Sequence, residues 1–141
     1  MNNTLTTTLF IGIDVSSKSN YVVALDFFGN KLLSFDVSNN LPGSEKIVAN
    51  ITSCLKENNF THLTIAMEST SFYSWHIANT LATHDALLWL KPKIYCLNPR
   101  VICAYKKSFV DIDKTYPRDA FVIADFARVG KITSAPWKGG E

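Results

Sequence analysis

Three strand-length apolar runs follow one another near the start of the chain, and the connections between them are too short to hold a helix. The runs lie at 9–15, 21–27 and 31–37, and the sequence FGN at 28–30 is a turn signal. Strands joined by such short connections pair antiparallel, because a parallel return needs a crossover of a dozen or more residues. The sequence therefore predicts an antiparallel meander at its amino-terminal end.

After the meander, the pattern changes to helices that alternate with short apolar runs. The predicted elements, in chain order, are a helix over 44–55, a strand at 62–67, a helix at 72–82, a strand at 86–90, a helix at 98–107 and a last helix opened by Pro117. Ser44 is the predicted N-cap of the first helix, and Trp75 and Trp89 are interpreted as core residues. This order predicts an α/β fold with a mixed sheet of about five strands, the first three antiparallel, and helices packed on its faces.

The length and composition fit one globular domain. The chain has 141 residues, of which 47% are hydrophobic and 18% charged, so it can bury a core and is not a disordered chain. The formal net charge of +2 excludes a strongly basic packaging protein, although a local basic face could still bind nucleic acid. We expect a flexible amino terminus at 1–8, a folded domain at 9–134 and the start of a linker at 135–141.

No targeting or membrane signal is evident in the sequence. The first eight residues are polar or uncharged, and no apolar stretch reaches the roughly 18 residues that a membrane span needs. The three cysteines form no C-x-x-C motif, so neither a disulfide framework nor a zinc site is indicated. We interpret the chain as a cytoplasmic protein without a membrane partner.

Two acidic residues lie where predicted strands end. Asp14 follows the apolar run at 10–13, and Glu68 follows the run at 65–67. Functional groups gather beyond the carboxyl ends of parallel strands, and two carboxylates placed together there favour a bound cation. Oxygen ligands select Mg²⁺ or Mn²⁺, and Asp119, in the first turn of the last predicted helix, is a further candidate. The alternative is that each acid caps an element or ends its strand in water.

Basic residues cluster in the second half of the chain and alternate with tyrosines. The candidates for neutralising the phosphates of a nucleic acid are Arg100, Lys106, Lys107, Lys114 and Arg118. For Lys106 and Lys107, a solvated helix face is the alternative interpretation.

Four short motifs occur in an order that is similar to that of a known family. They are GIDVS at 12–16, AMEST at 66–70, NPR at 98–100 and KTxxxDA at 114–120. Together they resemble the amino-terminal domain of the DEDD transposases of bacterial insertion sequences. The resemblance implies a RuvC-type, ribonuclease H-like fold that acts in DNA strand cleavage and exchange. It also implies DNA as a partner, a structured bridge RNA as a guide in some members, and a homo-oligomer for the full-length protein.

The resemblance assigns Asp14, Glu68 and Asp119 to the first, second and fourth acids of a catalytic Mg²⁺ or Mn²⁺ site. The family's third acid follows Lys-Thr, and this chain has Tyr116 there, whose neutral phenol is a poor ligand for a hard cation. Asp113, three residues earlier, could substitute if the loop took another path. Family members also carry a serine nucleophile in a carboxy-terminal domain, so we expect this domain to be inactive on its own.

Two other functions stay open at this point. One is a nucleic-acid-binding or dimerisation module that Tyr116 has made catalytically impaired. The other is a RuvC-like resolvase that cleaves four-way junctions, which a junction-cleavage assay would distinguish.

Overall fold

The computed structural model describes residues 4–68, 72–109 and 118–137. Its strands are β1 (Thr8–Val15), β2 (Ser19–Leu25), β3 (Lys31–Ser38), β4 (His62–Glu68) and β5 (Lys93–Leu97). They form one sheet in the order β3-β2-β1-β4-β5. The first three strands pair antiparallel, whereas β4 lies parallel to both β1 and β5. The prediction of a mixed sheet that opens with an antiparallel meander is confirmed.

Helices cover both faces of this sheet. They are α1 (Leu41–Asn58), α2 (Phe72–Thr83), α3 (Asp85–Leu88), α4 (Pro99–Lys107) and α5 (Asp119–Arg128), and a short 3-10 helix (Thr4–Thr7) precedes β1. Side chains alternate along a strand, so Ile11 and Ile13 of β1 pack with α1, α2 and α3, while Phe10 belongs to the core under α4 and α5. Among the described residues, no helix is both long and apolar enough to cross a membrane.

Helix α5 packs unusually close to the sheet at Gly12 of β1. A Cβ atom at this position would lie 2.2 Å from the carbonyl oxygen of Ala120 and 2.4 Å from the amide nitrogen of Ala124. Any larger residue would therefore push α5 away from β1. The glycine brings the first turn of α5 over the end of the strand that carries Asp14.

The predicted strand at 86–90 is wrong. Asp85–Leu88 forms α3, whose N-cap His84 accepts a hydrogen bond at Nδ1 from the amide of Ala86 at 3.1 Å. The fifth strand is instead Lys93–Leu97, which pairs with β4. A run of five apolar residues suits a strand or a helical turn equally well, and periodicity alone does not separate them.

The interpretation of two tryptophans as core residues is also wrong. Trp75 of α2 is 47% exposed, and Trp89, which follows α3, is 66% exposed. The buried stripe of α2 is made by Ile77 and Leu81, so the indole of Trp75 lies on the other side of its helix.

The predicted N-cap of α1 lies four residues too late. The helix begins at Leu41, and the side-chain oxygen of Asn40 accepts a hydrogen bond from the amide of Gly43 at 2.8 Å. Pro42 fits the first turn, where an amide hydrogen is not needed. Ser44 is buried within the helix instead of capping it.

Candidate functional site

Asp14 and Glu68 lie side by side at the carboxyl ends of two neighbouring parallel strands. Strands β1 and β4 pair in register up to Ile13 and Met67, each one residue before an acid. The alternation of side chains places both acids on the sheet face that α5 covers, because Gly12 and Ala66, two residues earlier, contribute to that face. Residues 54 positions apart in sequence are therefore brought together by strand pairing.

Asp119 joins the two strand acids from above. It is the first residue of α5, and Arg118 occupies the N-cap position without a side-chain capping hydrogen bond. The close approach of α5 at Gly12 brings its carboxylate near enough to influence both Asp14 and Glu68. Pro117, which we predicted to open this helix, lies outside the described residues, as do Tyr116 and Asp113.

The electrostatics of the site disfavour charge on the two strand acids. Burial raises the pKa of Asp14 above its ordinary value, and the charge of Asp119 raises it further. Burial also raises the pKa of Glu68, with added contributions from the charges of Asp119 and Asp14. Burial and neighbouring negative charge therefore both make the ionised forms of Asp14 and Glu68 less favourable. We refer to Asp14, Glu68 and Asp119 as the acid cluster.

Lys106 of α4 reaches into the acid cluster. Its Nζ donates a hydrogen bond to Oδ1 of Asp119 at 2.6 Å, a charge-assisted contact between two partly exposed side chains. This hydrogen bond is the main cause of the raised pKa of the lysine, and the charges of Asp119 and Asp14 add to it. In return, the ammonium lowers the pKa of both Asp14 and Glu68.

The donor set of the acid cluster suits a hard divalent cation. Three carboxylates arrive from β1, β4 and α5, and Mg²⁺ and Mn²⁺ prefer such oxygen ligands. Within the described ranges, however, no three acidic, histidine or cysteine side chains are close enough together to hold a metal ion already. The cluster therefore provides ligands of the right chemistry at one place, but they would have to draw together around an ion.

The chain matches a transposase family over most of its length. A family model described as transposase, of the IS110-type DEDD group, matches residues 11–139, which is most of the chain. The chain belongs to the DEDD transposases. The resemblance drawn from the four sequence motifs is thereby confirmed. No curated protein matched the sequence.

Two solved structures resemble this transposase domain. One is a Thermus thermophilus RuvC structure, with a TM-score of 0.59 and 16% identity, covering 92% of this chain and 99% of that one. The other is T. thermophilus RuvC in complex with a Holliday junction substrate, with a TM-score of 0.54, 15% identity and the same two coverages. At this level of identity the likeness shows the fold, and it confirms the predicted RuvC-type, ribonuclease H-like architecture.

The basic residues predicted to bind nucleic acid lie in different surroundings on the transposase domain. Arg100 and Lys107 of α4 and Arg118 before α5 are exposed. Lys106 instead contacts the acid cluster, and Lys114 lies outside the described residues. Three of the five predicted residues are therefore placed where a phosphate could reach them from solvent.

A shallow groove beside the acid cluster carries two of the domain's cations. The guanidinium of Arg118 lies 4.1 Å from the ring centroid of Tyr21, the residue of β2 that pairs with Asp14. Together with Lys31 and Ser34 these residues line a cavity of about 350 Å³. An aromatic ring and a guanidinium placed side by side suit stacking on a base and contact with a phosphate.

Sequence reasoning missed the contacts that fix α4 against α5. The hydroxyl of Tyr105 donates to Oδ2 of Asp125 at 2.7 Å, and Arg128 donates to Oδ1 of the same carboxylate at 2.7 and 2.9 Å. Arg128 also donates to the carbonyl oxygen of Phe27 at 3.2 Å. The available signal was Asp125 itself, a charged residue within the apolar run AFVIADFA of α5.

Proposed function

We propose that this domain binds Mg²⁺ or Mn²⁺ through Asp14, Glu68 and Asp119 and serves DNA strand cleavage and exchange during insertion-sequence transposition. The observation that supports the proposal best is the convergence of three carboxylates from three separate elements, where burial and the charge of Asp119 raise the pKa of both Asp14 and Glu68. Repulsion of this kind costs folding free energy, and a divalent cation is the usual means of offsetting it at a nuclease site.

Each acid has a distinct part in this proposal. Asp14 and Glu68 are fixed by the paired strands and provide the rigid side of the site. Asp119 sits at the start of the helix that packs on β1 at Gly12, so it adds a third ligand from a separate element. A bound divalent ion would stabilise negative charge on the oxygens of a scissile phosphodiester. We propose Asp113 as a fourth acid in place of the family's third, where this chain has Tyr116.

DNA is the proposed substrate, and the exposed cations of α4 and of the residue before α5 support it. Arg100, Lys107 and Arg118, together with Lys114, would neutralise phosphates on either side of the reacting one. A similar RuvC structure holds a Holliday junction substrate, which supports branched DNA as a ligand of this fold. We further propose that a structured guide RNA and a second copy of the full-length protein take part, in the bacterial cytoplasm.

One observation favours a second candidate function, a nucleic-acid-binding module without catalysis. The Lys106–Asp119 ion pair already neutralises part of the acid cluster, as expected of a site that works without metal. The two functions differ in one property, because only the first makes DNA binding depend on a divalent ion.

The test is a binding titration of fluorescent branched DNA against the 141-residue chain, with Mn²⁺ or with EDTA. We expect Mn²⁺ to increase the affinity of the parent chain and to have no such effect on Asp14→Asn. Glu57→Gln is the matched control, since it removes one exposed carboxylate from α1 on the opposite face and should behave like the parent. DNA affinity that is the same with Mn²⁺ and with EDTA in the parent would contradict the catalytic proposal and favour the non-catalytic module.

A further inference from the structure

We propose that the Lys106 ammonium is a built-in counter-ion of the acid cluster, which must withdraw before a divalent metal binds. The inference rests on the proposed metal site. It adds that the metal affinity of the domain is set by a cation carried on α4, an element that contributes none of the three acids.

The contact geometry is the first support for this role. Lys106 Nζ lies 2.6 Å from Oδ1 of Asp119. An ion such as Mg²⁺ needs its oxygen ligands at about 2.0–2.1 Å, so it cannot use the same oxygen in the same direction. A divalent ion and an ammonium group at this distance from one carboxylate would also repel each other. A metal that takes the place of the ammonium beside Oδ1 therefore requires the lysine to turn away.

The charge of the acid cluster is the second support. The three carboxylates of the acid cluster outnumber the one ammonium group that contacts them. The ammonium acts on the whole cluster and not only on its partner, because it lowers the pKa of Asp14 and of Glu68.

The position of α4 is the third support, because packing of the helix places the backbone of Lys106 beside the acid cluster. Asn98 caps the helix, Ile102 is buried beneath it, and Tyr105 is hydrogen-bonded to Asp125 of α5. The residue that follows, Lys107, is exposed. Adjacent lysines on one helix thus differ in environment, and only Lys106 is held against Asp119. The flexible side chain can still swing out, towards solvent or towards a phosphate next to the metal.

Calorimetric titration of Mn²⁺ into the parent chain, Lys106→Gln and Lys131→Gln tests the inference. Lys131→Gln is the control, because it removes one exposed cation from the same side of the domain, 5.8 Å from the Tyr105 ring. We expect Lys106→Gln to bind Mn²⁺ about 10-fold more tightly, a difference of about 1.4 kcal/mol, and Lys131→Gln to bind like the parent. Equal or weaker binding by Lys106→Gln, with measurable binding by the parent, would overturn the inference and leave the proposed metal site intact.

Thermal unfolding of the same proteins separates this role from a purely structural one. Without metal, Lys106→Gln should melt below the parent because the acids lose their counter-ion. Its Mn²⁺-induced rise in melting temperature should nevertheless be larger than that of the parent, and Lys106→Met should behave in the same way. A lower melting temperature with an unchanged Mn²⁺-induced rise would reduce Lys106 to a structural ion pair. Absence of Mn²⁺ binding in all these proteins would overturn the proposed metal site, and the inference with it.

Discussion

Gly12 shows how one residue fixes the position of the candidate site. A Cβ at this position would overlap the backbone of α5 at two atoms, 2.2 and 2.4 Å away. We expect Gly12→Ala to lower the free energy of unfolding by about 3 kcal/mol, the upper end of the usual cost of overpacking. Gly130→Ala is the control, because a Cβ at this position meets open space. Only the φ of 78° opposes this change, and we expect it to lower the free energy of unfolding by about 1 kcal/mol. Urea denaturation measures both free energies of unfolding. A larger decrease for Gly130→Ala than for Gly12→Ala would contradict this account.

Asp14 shows the cost that the acid cluster imposes on the metal-free fold. Its pKa is raised by burial and by Asp119, so folding favours the protonated carboxyl. The protonated carboxyl contributes its full stabilisation of the fold below the ordinary pKa of 3.8. This contribution is lost as the pH rises through the raised pKa. At pH 7 the charged group therefore opposes folding, and Asp14→Asn should raise the melting temperature in EDTA by about 3 °C. A lower melting temperature in differential scanning calorimetry would contradict the prediction.

At the scale of elements, the sequence predicts most of the sheet because its central strands are long, apolar and bounded by turn signals. β1 and β4 were placed within a residue of their observed ends, which is why their terminal acids could be proposed as neighbours. β5 was missed because Lys93–Leu97 is short and lies next to the fully apolar run at 86–90, which begins in a helix. Local hydrophobicity does not identify a short strand that pairs with β4 alone.

The direction of Lys106 is the part of the candidate site that sequence reasoning did not predict. Lys106 and Lys107 are adjacent lysines in one helix, and nothing in the local sequence distinguishes them. The difference arises from the packing of α4 on α5, through Tyr105 and Asp125, 20 positions apart in sequence. Tertiary contacts of this kind are invisible to spacing rules, because they depend on how two helices cross.

The hydrogen bond between Tyr105 of α4 and Asp125 of α5 predicts that the free energy of unfolding depends on pH in the alkaline range. Burial, the hydrogen bond to Asp125 and the charge of that carboxylate raise the pKa of Tyr105 to about 12. A raised pKa means that the stabilising effect of the neutral phenol is complete below the ordinary value of 10.0 and is lost as the pH approaches 12. The difference in unfolding free energy between the parent and Tyr105→Phe should therefore shrink over this window in urea denaturation. A constant difference would show that the phenol is not held by Asp125.

At the scale of the whole molecule, the fold gathers charge from distant parts of the chain at one end of one face. Strands β1 and β4 and helix α5 supply the acids, while α4 and the residue before α5 supply cations around them. The opposite face of the sheet is occupied by α1, α2 and α3. This asymmetry predicts that nucleic acid binds on the α4–α5 side.

Charge reversal on each face of the sheet tests whether nucleic acid binds on the α4–α5 side. We expect Lys107→Glu and Arg118→Glu each to weaken DNA binding and to reduce the slope of log affinity against log salt by about one unit. Lys56 is an exposed lysine of α1 on the opposite face, so Lys56→Glu should leave both the affinity and the slope close to those of the parent. Fluorescence anisotropy at several salt concentrations measures both quantities. An equal effect from Lys56→Glu would contradict binding of DNA on the α4–α5 side.

The most direct test of the metal site is the position of the ion itself. Crystals of the chain grown with saturating Mn²⁺ can be measured by anomalous diffraction, which locates manganese independently of the protein atoms. The account predicts a peak bound by carboxylate oxygens of Asp14, Glu68 and Asp119 at about 2.1 Å, with the Lys106 ammonium turned away from Asp119. A peak elsewhere, or no peak, with the Lys106–Asp119 ion pair still in place, would contradict it.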